Sequence, residues 1–133
     1  MSIKALPSME HVFRVNVKGE ETGKSYEGDF SYKRPNLRVD SEIEKTKALL
    51  DGGLRLSEEQ HFIHEVLARL KHTITASPEW WAKSDYGFEL YDLNVVLDIF
   101  KETKKFEKEW TDKVWAEDAK SETPTPIEAA QGK

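Results

Sequence analysis

The stretch at residues 11–34, HVFRVNVKGEETGKSYEGDFSYKR, decides the fold. Phe13, Val15 and Val17 alternate with Arg14, Asn16 and Lys18. Successive side chains of a strand point to opposite faces, so this run makes one apolar row and one polar row. Tyr26, Phe30 and Tyr32 repeat the pattern after the turn signal GEETG at 19–23. Gly28 takes the vacant place in that second row, which predicts a bulge or a close backbone approach. The stretch therefore predicts an antiparallel β-hairpin over residues 10–34. A lone hairpin is marginal in water, so its apolar face must lie against helices or a partner.

The chain beyond Pro35 reads as helical. Ser41 with Glu44 matches a capping box, and Ile43, Ala48, Leu49 and Leu50 supply a short amphipathic helix that stops at Gly52-Gly53. Ser57 with Gln60 marks a second start, followed at helical spacing by Phe62, Ile63, Val66, Leu67, Leu70 and Ile74. Ser77-Pro78-Glu79 is a third start, with Ser77 as cap and Pro78 in the first turn of a short helix. Asp92 is the expected cap of a long fourth helix carrying Leu93, Val96, Leu97, Ile99, Phe100, Phe106, Trp110 and Val114. The fold class is α+β, mainly α: an N-terminal antiparallel β-hairpin followed by about four helices around one core. The hairpin is expected to meet the second or the final helix. The expected core is Phe13, Val15, Phe30, Leu49, Phe62, Val66, Leu70, Val96, Phe100 and Trp110. Residues 1–9 read as a flexible leader. Residues 10–118 read as a single domain, with the hairpin at 10–34 and the helical part at 40–118. Residues 119–133, with two prolines and little to bury, read as a disordered tail.

Composition narrows the function. The chain has 133 residues, 38% hydrophobic and 34% charged, which allows one modest core. A net charge of -5 argues against nucleic acid held by bulk electrostatics. There is no cysteine, hence neither a disulfide framework nor a thiolate metal site. No apolar run approaches the ~20 residues of a membrane span, and the first residues lack a signal-peptide core, so a soluble cytoplasmic protein is expected.

The candidate chemistry is sparse. His61 and His64 stand three apart on the second helix, but His72 would lie roughly 16 Å from His61 along it, too far to share an ion. The plainer reading is surface or half-buried histidines, with no metal and no cofactor. Asp85, Glu89, Asp92 and Asp98 have no accompanying nucleophile or phosphate loop, and the plainer reading is structural. DGG at 51–53 lacks the spacing of a phosphate-binding loop. No catalytic residue is expected.

The aromatics say more. Trp80, Trp81, Tyr86, Phe88, Tyr91, Phe100, Phe106, Trp110 and Trp115 all fall in the last 54 residues. Most should complete the core. A few exposed ones could anchor a partner, because Trp and Tyr dominate binding energy. Neighbours on a helix diverge by about 100°, so Trp80 and Trp81 cannot both enter the core. The candidate partner-binding set is Trp80, Trp81, Tyr86, Phe88, Trp110 and Trp115, with Trp115 and one of the Trp80/Trp81 pair foremost. Each Trp could bury roughly 150–250 Å².

The order of RP at 34–35, LLDGG at 49–53, SPEWW at 77–81 and FEKEW at 106–110 resembles the tail assembly chaperones of long-tailed bacteriophages and gene-transfer agents. The resemblance spans roughly residues 11–115. It implies a protein that is not an enzyme and that associates with the tape measure protein and tail tube subunits in the host cytoplasm, generally absent from the finished virion. It also implies a possible longer form made by programmed frameshifting. Self-association is compatible with it. Two other classes stand beside it: a structural virion subunit of the tail or head-completion type, and a small metal-binding protein or enzyme built on His61 and His64.

Overall fold

The hairpin forms with the expected register. Strand β1 (Glu10–Lys18) pairs antiparallel with β2 (Ser25–Lys33), from Glu10 opposite Lys33 to Lys18 opposite Ser25 without a slip. Gly19 N–H donates to the Lys24 carbonyl at 2.8 Å and closes the turn. Phe13, Val15, Tyr26, Phe30 and Tyr32 are buried on the one face that the alternation assigned to them. At Gly28 the close approach is the correct alternative, since the ladder runs through it unbroken. The Pro78 ring fills the vacancy: a Cβ on Gly28 would lie 2.2 Å from Pro78 Cγ.

The computed structural model of the chain describes residues 6–121, with side chains as far as residue 116. After the hairpin come α1 (Leu37–Asp51), α2 (Glu58–Thr73), a short third strand β3 (Ile74–Ala76), α3 (Glu79–Lys83) and α4 (Leu93–Ser121). The result is a three-stranded antiparallel sheet in the order β1-β2-β3 with four helices, an α+β architecture that is mainly helical. Strand β3 is an addition to the expected plan. Ile74 leaves the helix and pairs with Tyr32 on the free side of β2. The run Thr73, Ile74, Thr75 is β-branched, which suits a strand better than the last turn of a helix.

Several caps differ from expectation. Asn36, not Ser41, starts α1: its side chain accepts from Val39 N–H at 2.9 Å. Asn is as strong a cap as Ser, and it follows Pro35, so the helix begins at residue 37 rather than 40. Ser41 lies within the helix and donates to the Leu37 carbonyl. Ser57 caps α2 as expected, accepting from Gln60 N–H at 3.1 Å, but the Gln60 side chain meets His64 instead of turning back. Pro78, not Ser77, precedes α3 and makes no side-chain cap. Gly52, at φ 61°, ends α1 in the left-handed conformation that favours glycine.

The core is one cluster joining the hairpin face to Val66, Leu67 and Leu70 of α2, Trp81 of α3, and Val95, Val96 and Ile99 of α4. Each such side chain contributes about 1.5–3 kcal/mol on burial. Both helices therefore meet the hairpin. Helix α4 runs along β1: Asn94 Nδ2 donates to the Lys18 carbonyl at 2.9 Å at one end, and His11 stacks on Phe106 at 4.7 Å toward the other. Four expected core residues are not in it. Phe100 is half-buried and packs against it, and Trp110 is half-buried outside it. Leu49 is 80% exposed and Phe62 is 45% exposed. Helix α1 rides on the outer side of α2 through Ile43, which turns Leu49 to solvent. Phe62 is on a flank of α2 and only meets the edge of Phe100.

The chain ends are also corrected in part. Pro7 O accepts from Trp110 Nε1 and Met9 O accepts from Arg34 N–H, so residues 7–9 are fastened rather than a loose leader. Helix α4 continues through 119–121, where the tail was expected to have begun. Residues 1–5 of the leader and 122–133 of the tail lie outside the described residues. No helix among the described residues is long and apolar enough to cross a membrane.

Candidate functional site

The two adjacent tryptophans divide the work. Trp81 is fully buried, edge-on to Phe30 at 5.7 Å, and its Nε1 has no hydrogen-bond partner among the described residues. It cannot touch a partner, which corrects its place in the candidate set. Trp80 is half-buried beside it. It packs edge-on against Tyr26 at 5.0 Å and donates from Nε1 to the Glu27 carbonyl at 3.0 Å. Trp80 is thus a lid over the sheet.

Beyond α3 the backbone makes an unusual turn. Asp85 (φ 54°), Tyr86 (φ 56°) and Gly87 (φ 92°) are all left-handed in succession. A non-glycine residue is rarely found there, and the cost is about 1–3 kcal/mol each. Ser84 holds the turn: its Oγ donates to the Trp81 carbonyl at 2.8 Å and accepts from Gly87 N–H at 3.1 Å. Gly87 lies against the Trp81 ring, so close that a Cβ would be 2.6 Å from Cη2. The buried indole is therefore the floor on which the loop stands.

This loop makes one wall of a cleft of about 250 Å³ whose lining side chains are mostly apolar, although the surface left open is about half polar. Phe88, Leu90 and Tyr91 face Ile63 and Leu67 of α2, with Leu93 and Val96 of α4 and Leu50 of α1 completing the lining. The polar side chains of the lining are Gln60 and His64, besides the Tyr91 hydroxyl. Within the lining, Tyr91 is 81% exposed and Leu93 37%; Tyr86, on the same loop but outside the lining, is 43% exposed. A cavity of this kind accepts a large apolar side chain.

His64 is pinned by Asp51 at the end of α1. Its Nδ1 lies 2.8 Å from Asp51 Oδ1, and His61 Nδ1 lies 2.8 Å from Oδ2 of the same carboxylate. The hydrogen bond from His64, with that from His61, holds the Asp51 carboxyl below the usual carboxylate range although burial opposes it. Among the described residues no group of three or more His, Asp and Glu side chains is placed to hold a metal ion. His72 sits apart, 2.7 Å from Thr46 Oγ1, and burial pushes its imidazole below its ordinary value.

Of the carboxylates weighed in the sequence, Asp92 has a structural placement. Asp92 does not cap α4 through its side chain. It reaches into the β1–β2 turn, where it accepts from Glu21 N–H, Thr22 N–H, Thr22 Oγ1 and Tyr26 OH.

The rest of the aromatic set is dispersed. Trp110 is half-buried, with the Arg34 guanidinium 3.7 Å above its ring. Trp115 is 66% exposed near the end of the described side chains. Only Phe88 of the six candidates lines the cleft, and Tyr86 stands on the same loop. Leu50, Ile63, Leu67, Leu93 and Val96 follow ordinary helical periodicity in the sequence, and Leu90 carries no signal there. The cleft's one warning sign in the sequence was Tyr91, an aromatic placed between the turn and the start of a helix. Comparisons with protein-family models, with curated proteins and with solved structures find no match for this chain.

Proposed function

We propose that this chain works by binding another protein rather than by catalysis, in the manner of a tail assembly chaperone that receives the tape measure protein or tail tube subunits. The observation that carries this reading is the apolar-lined cleft beside the strained aromatic loop. An assembly chaperone must hold an apolar helical stripe until the correct partner covers it. The cleft suits an anchor side chain of such a stripe, with the exposed Tyr91 and Leu93 in its lining. A loop fixed in advance by Ser84 and Trp81 loses little freedom on binding. The net charge of -5 keeps a complex with an apolar client in solution.

The test is co-expression of the full chain with a long helical tape measure protein and, separately, with a tube subunit from the same genome, followed by native co-purification. The expected result is recovery of at least one of them, lost when Tyr91 and Leu93 are both changed to Ser. Recovery of neither client overturns the reading. Mass spectrometry of purified particles separates the alternative: a stoichiometric amount of the chain in the virion assigns a structural subunit instead.

A further inference from the structure

A second cavity, of about 270 Å³, opens on the other flank of α2, between that helix, α4 and the end of β2. It differs in kind from the apolar-lined cleft. Arg34, Arg69 and Lys104 all line it, in a chain whose net charge is negative. Asp40 and Glu107 are the carboxylates of the lining.

Glu107 is already used. Its two oxygens accept from Tyr32 OH and from Arg34 Nε, the latter at 2.7 Å. Burial, and then the bond to Glu107, push the Tyr32 hydroxyl far above its ordinary value, so it stays protonated and a donor. Arg34 is held twice, by Glu107 at Nε and by the Trp110 face below its guanidinium. Neither of its terminal nitrogens donates to any described residue. Arg69 has a loose ion pair, Nε to Glu65 at 3.6 Å, and its terminal nitrogens are also unused among the described residues. Lys104 has no carboxylate within 4.0 Å among the described residues, and its ammonium lies 5.6 Å from the Phe100 ring centroid. The cavity thus gathers three cations with spare donors, one of them fixed rigidly in advance.

We infer that this cavity is a carboxylate-binding site. The lining holds three cations and two carboxylates, and Glu65, which pairs with Arg69 from outside it, also pairs with Lys47. The small positive excess therefore suits an anion of no more than one charge, a monoanionic carboxylate. A phosphate dianion would exceed that charge and meet Asp40 and Glu107 as well. The planar guanidiniums of Arg34 and Arg69 can each offer paired N–H donors to a carboxylate. Trp110 acts as a positioning residue for Arg34 and not as a contact of its own. The carboxylate comes from a free small acid or from an acidic side chain of a protein. The site does not depend on the apolar-lined cleft or on the identity of any client.

The experiment is a titration of the ¹⁵N-labelled full chain, at constant ionic strength set with chloride, against N-acetylglutamate amide, inorganic phosphate and a helical peptide bearing one Glu. The Trp110 indole N–H and the amides of residues 100–107 are the reporters. The expected result is a saturable shift with the glutamate compound, weaker with phosphate. The Arg69→Gln/Lys104→Gln double variant should lose affinity by roughly tenfold or more, as when charge-assisted hydrogen bonds are removed. Both side chains are partly exposed, and an unchanged melting curve shows that the variant is folded. A peptide that binds at least tenfold more tightly than the free compound, and loses this when its Glu becomes Gln, assigns a protein source. Equal affinity assigns a small acid. No saturable shift with any carboxylate, a stronger response to phosphate, or an unaltered response in the double variant overturns the inference.

Discussion

Thr22 and Asp92 join the hairpin turn to the start of α4 through two bonds: the Asp92 carboxylate accepts from Thr22 N–H at 2.9 Å and from Thr22 Oγ1 at 2.6 Å. Asp92 is fully buried, and Gly19 lies so close that a Cβ there would be 2.2 Å from its Cγ. The turn can pack this tightly because it is glycine where the carboxylate arrives. The long helix is thereby registered against the sheet by a side chain that sequence reasoning assigned to the helix itself.

Asp92 should make stability sensitive to acid. Burial pushes its carboxyl up, and hydrogen bonds from Thr22, Glu21 N–H and Tyr26 more than offset this, leaving it below the usual carboxylate range. A depressed folded value means that the contribution is complete above the unfolded value, about 3.9, and is lost as pH falls through the folded one. Asp51, also held low, acts in the same direction. Asp92→Asn should lower the thermal midpoint at pH 7 by about 10 °C, since buried donors lose their acceptor. Its midpoint should then fall less steeply than the wild type between pH 4 and pH 2. Calorimetry of both proteins across that range checks it, and parallel curves would refute the assignment.

Gly87 should resist replacement. Its φ of 92° is unfavourable for any side chain, and the Trp81 ring occupies the place of a Cβ. The ring belongs to a fully buried indole that has nowhere to move. Gly87→Ala should cost about 2–4 kcal/mol in denaturant unfolding, from overpacking and backbone strain together. Gly53→Ala is the control: its φ is 75°, but nothing lies within 4 Å of the added carbon, so it should cost less. Equal losses at both positions would show that the indole contact has no weight.

The Arg34–Glu107–Tyr32 cluster should behave as a buried network. The side chains of Arg34 and Glu107 are 26% and 23% exposed, and Tyr32 is buried. Glu107→Ala leaves a cation and a hydroxyl without their acceptor and should cost about 2–4 kcal/mol. Tyr32→Phe removes one donor only and should cost about 1 kcal/mol. In a double-mutant cycle the two losses should not add, because each removes the same bond. Additive losses, measured by urea unfolding, would mean that the bond contributes nothing.

The hairpin was legible because one periodicity governs it: alternation at Phe13, Val15, Tyr26, Phe30 and Tyr32 is also the burial pattern. The four helices were legible from their caps and spacing, with errors where an equally strong cap stood earlier, as Asn36 did. Leu49 and Phe62 were misplaced because a helix packed on one side exposes its flanks, and periodicity does not say which flank. Strand β3 was hidden because three residues carry no period. The cleft was hidden for a different reason. Its walls come from α1, α2, α4 and the loop, and the loop is shaped by three left-handed residues, two of which no composition rule places there. Adjacency alone showed that the paired indoles of SPEWW must part. Which one goes inside, with Trp81 as a floor and Trp80 across the sheet as a lid, depends on Gly87 and Glu27.

Tyr91 and Leu93 should separate binding from folding. Tyr91 is 81% exposed, so truncation there removes little buried area, whereas Leu93, 37% exposed, is partly covered. Tyr91→Ala should leave the melting temperature within about 2 °C of the wild type, as surface substitutions do, and Leu93→Ala should lower it by a few degrees more. If the cleft is the docking site for an apolar anchor, the pair should weaken client recovery by roughly 10- to 100-fold, as expected at the rim and wall of a binding pocket. Trp115→Ala tests the competing idea that an exposed indole on α4 makes the contact. Trp81→Phe should do the reverse of the first pair: it removes a sealed indole and should lower stability, with binding falling only as the loop loses its floor. Affinity measured by isothermal titration for these variants, beside their melting curves, distinguishes the cases. Loss confined to Trp115→Ala would move the site to the far end of α4. Loss confined to Tyr91 and Leu93 would fix it at the cleft, because there the exposed Tyr91 ring lines a cavity able to receive the anchor.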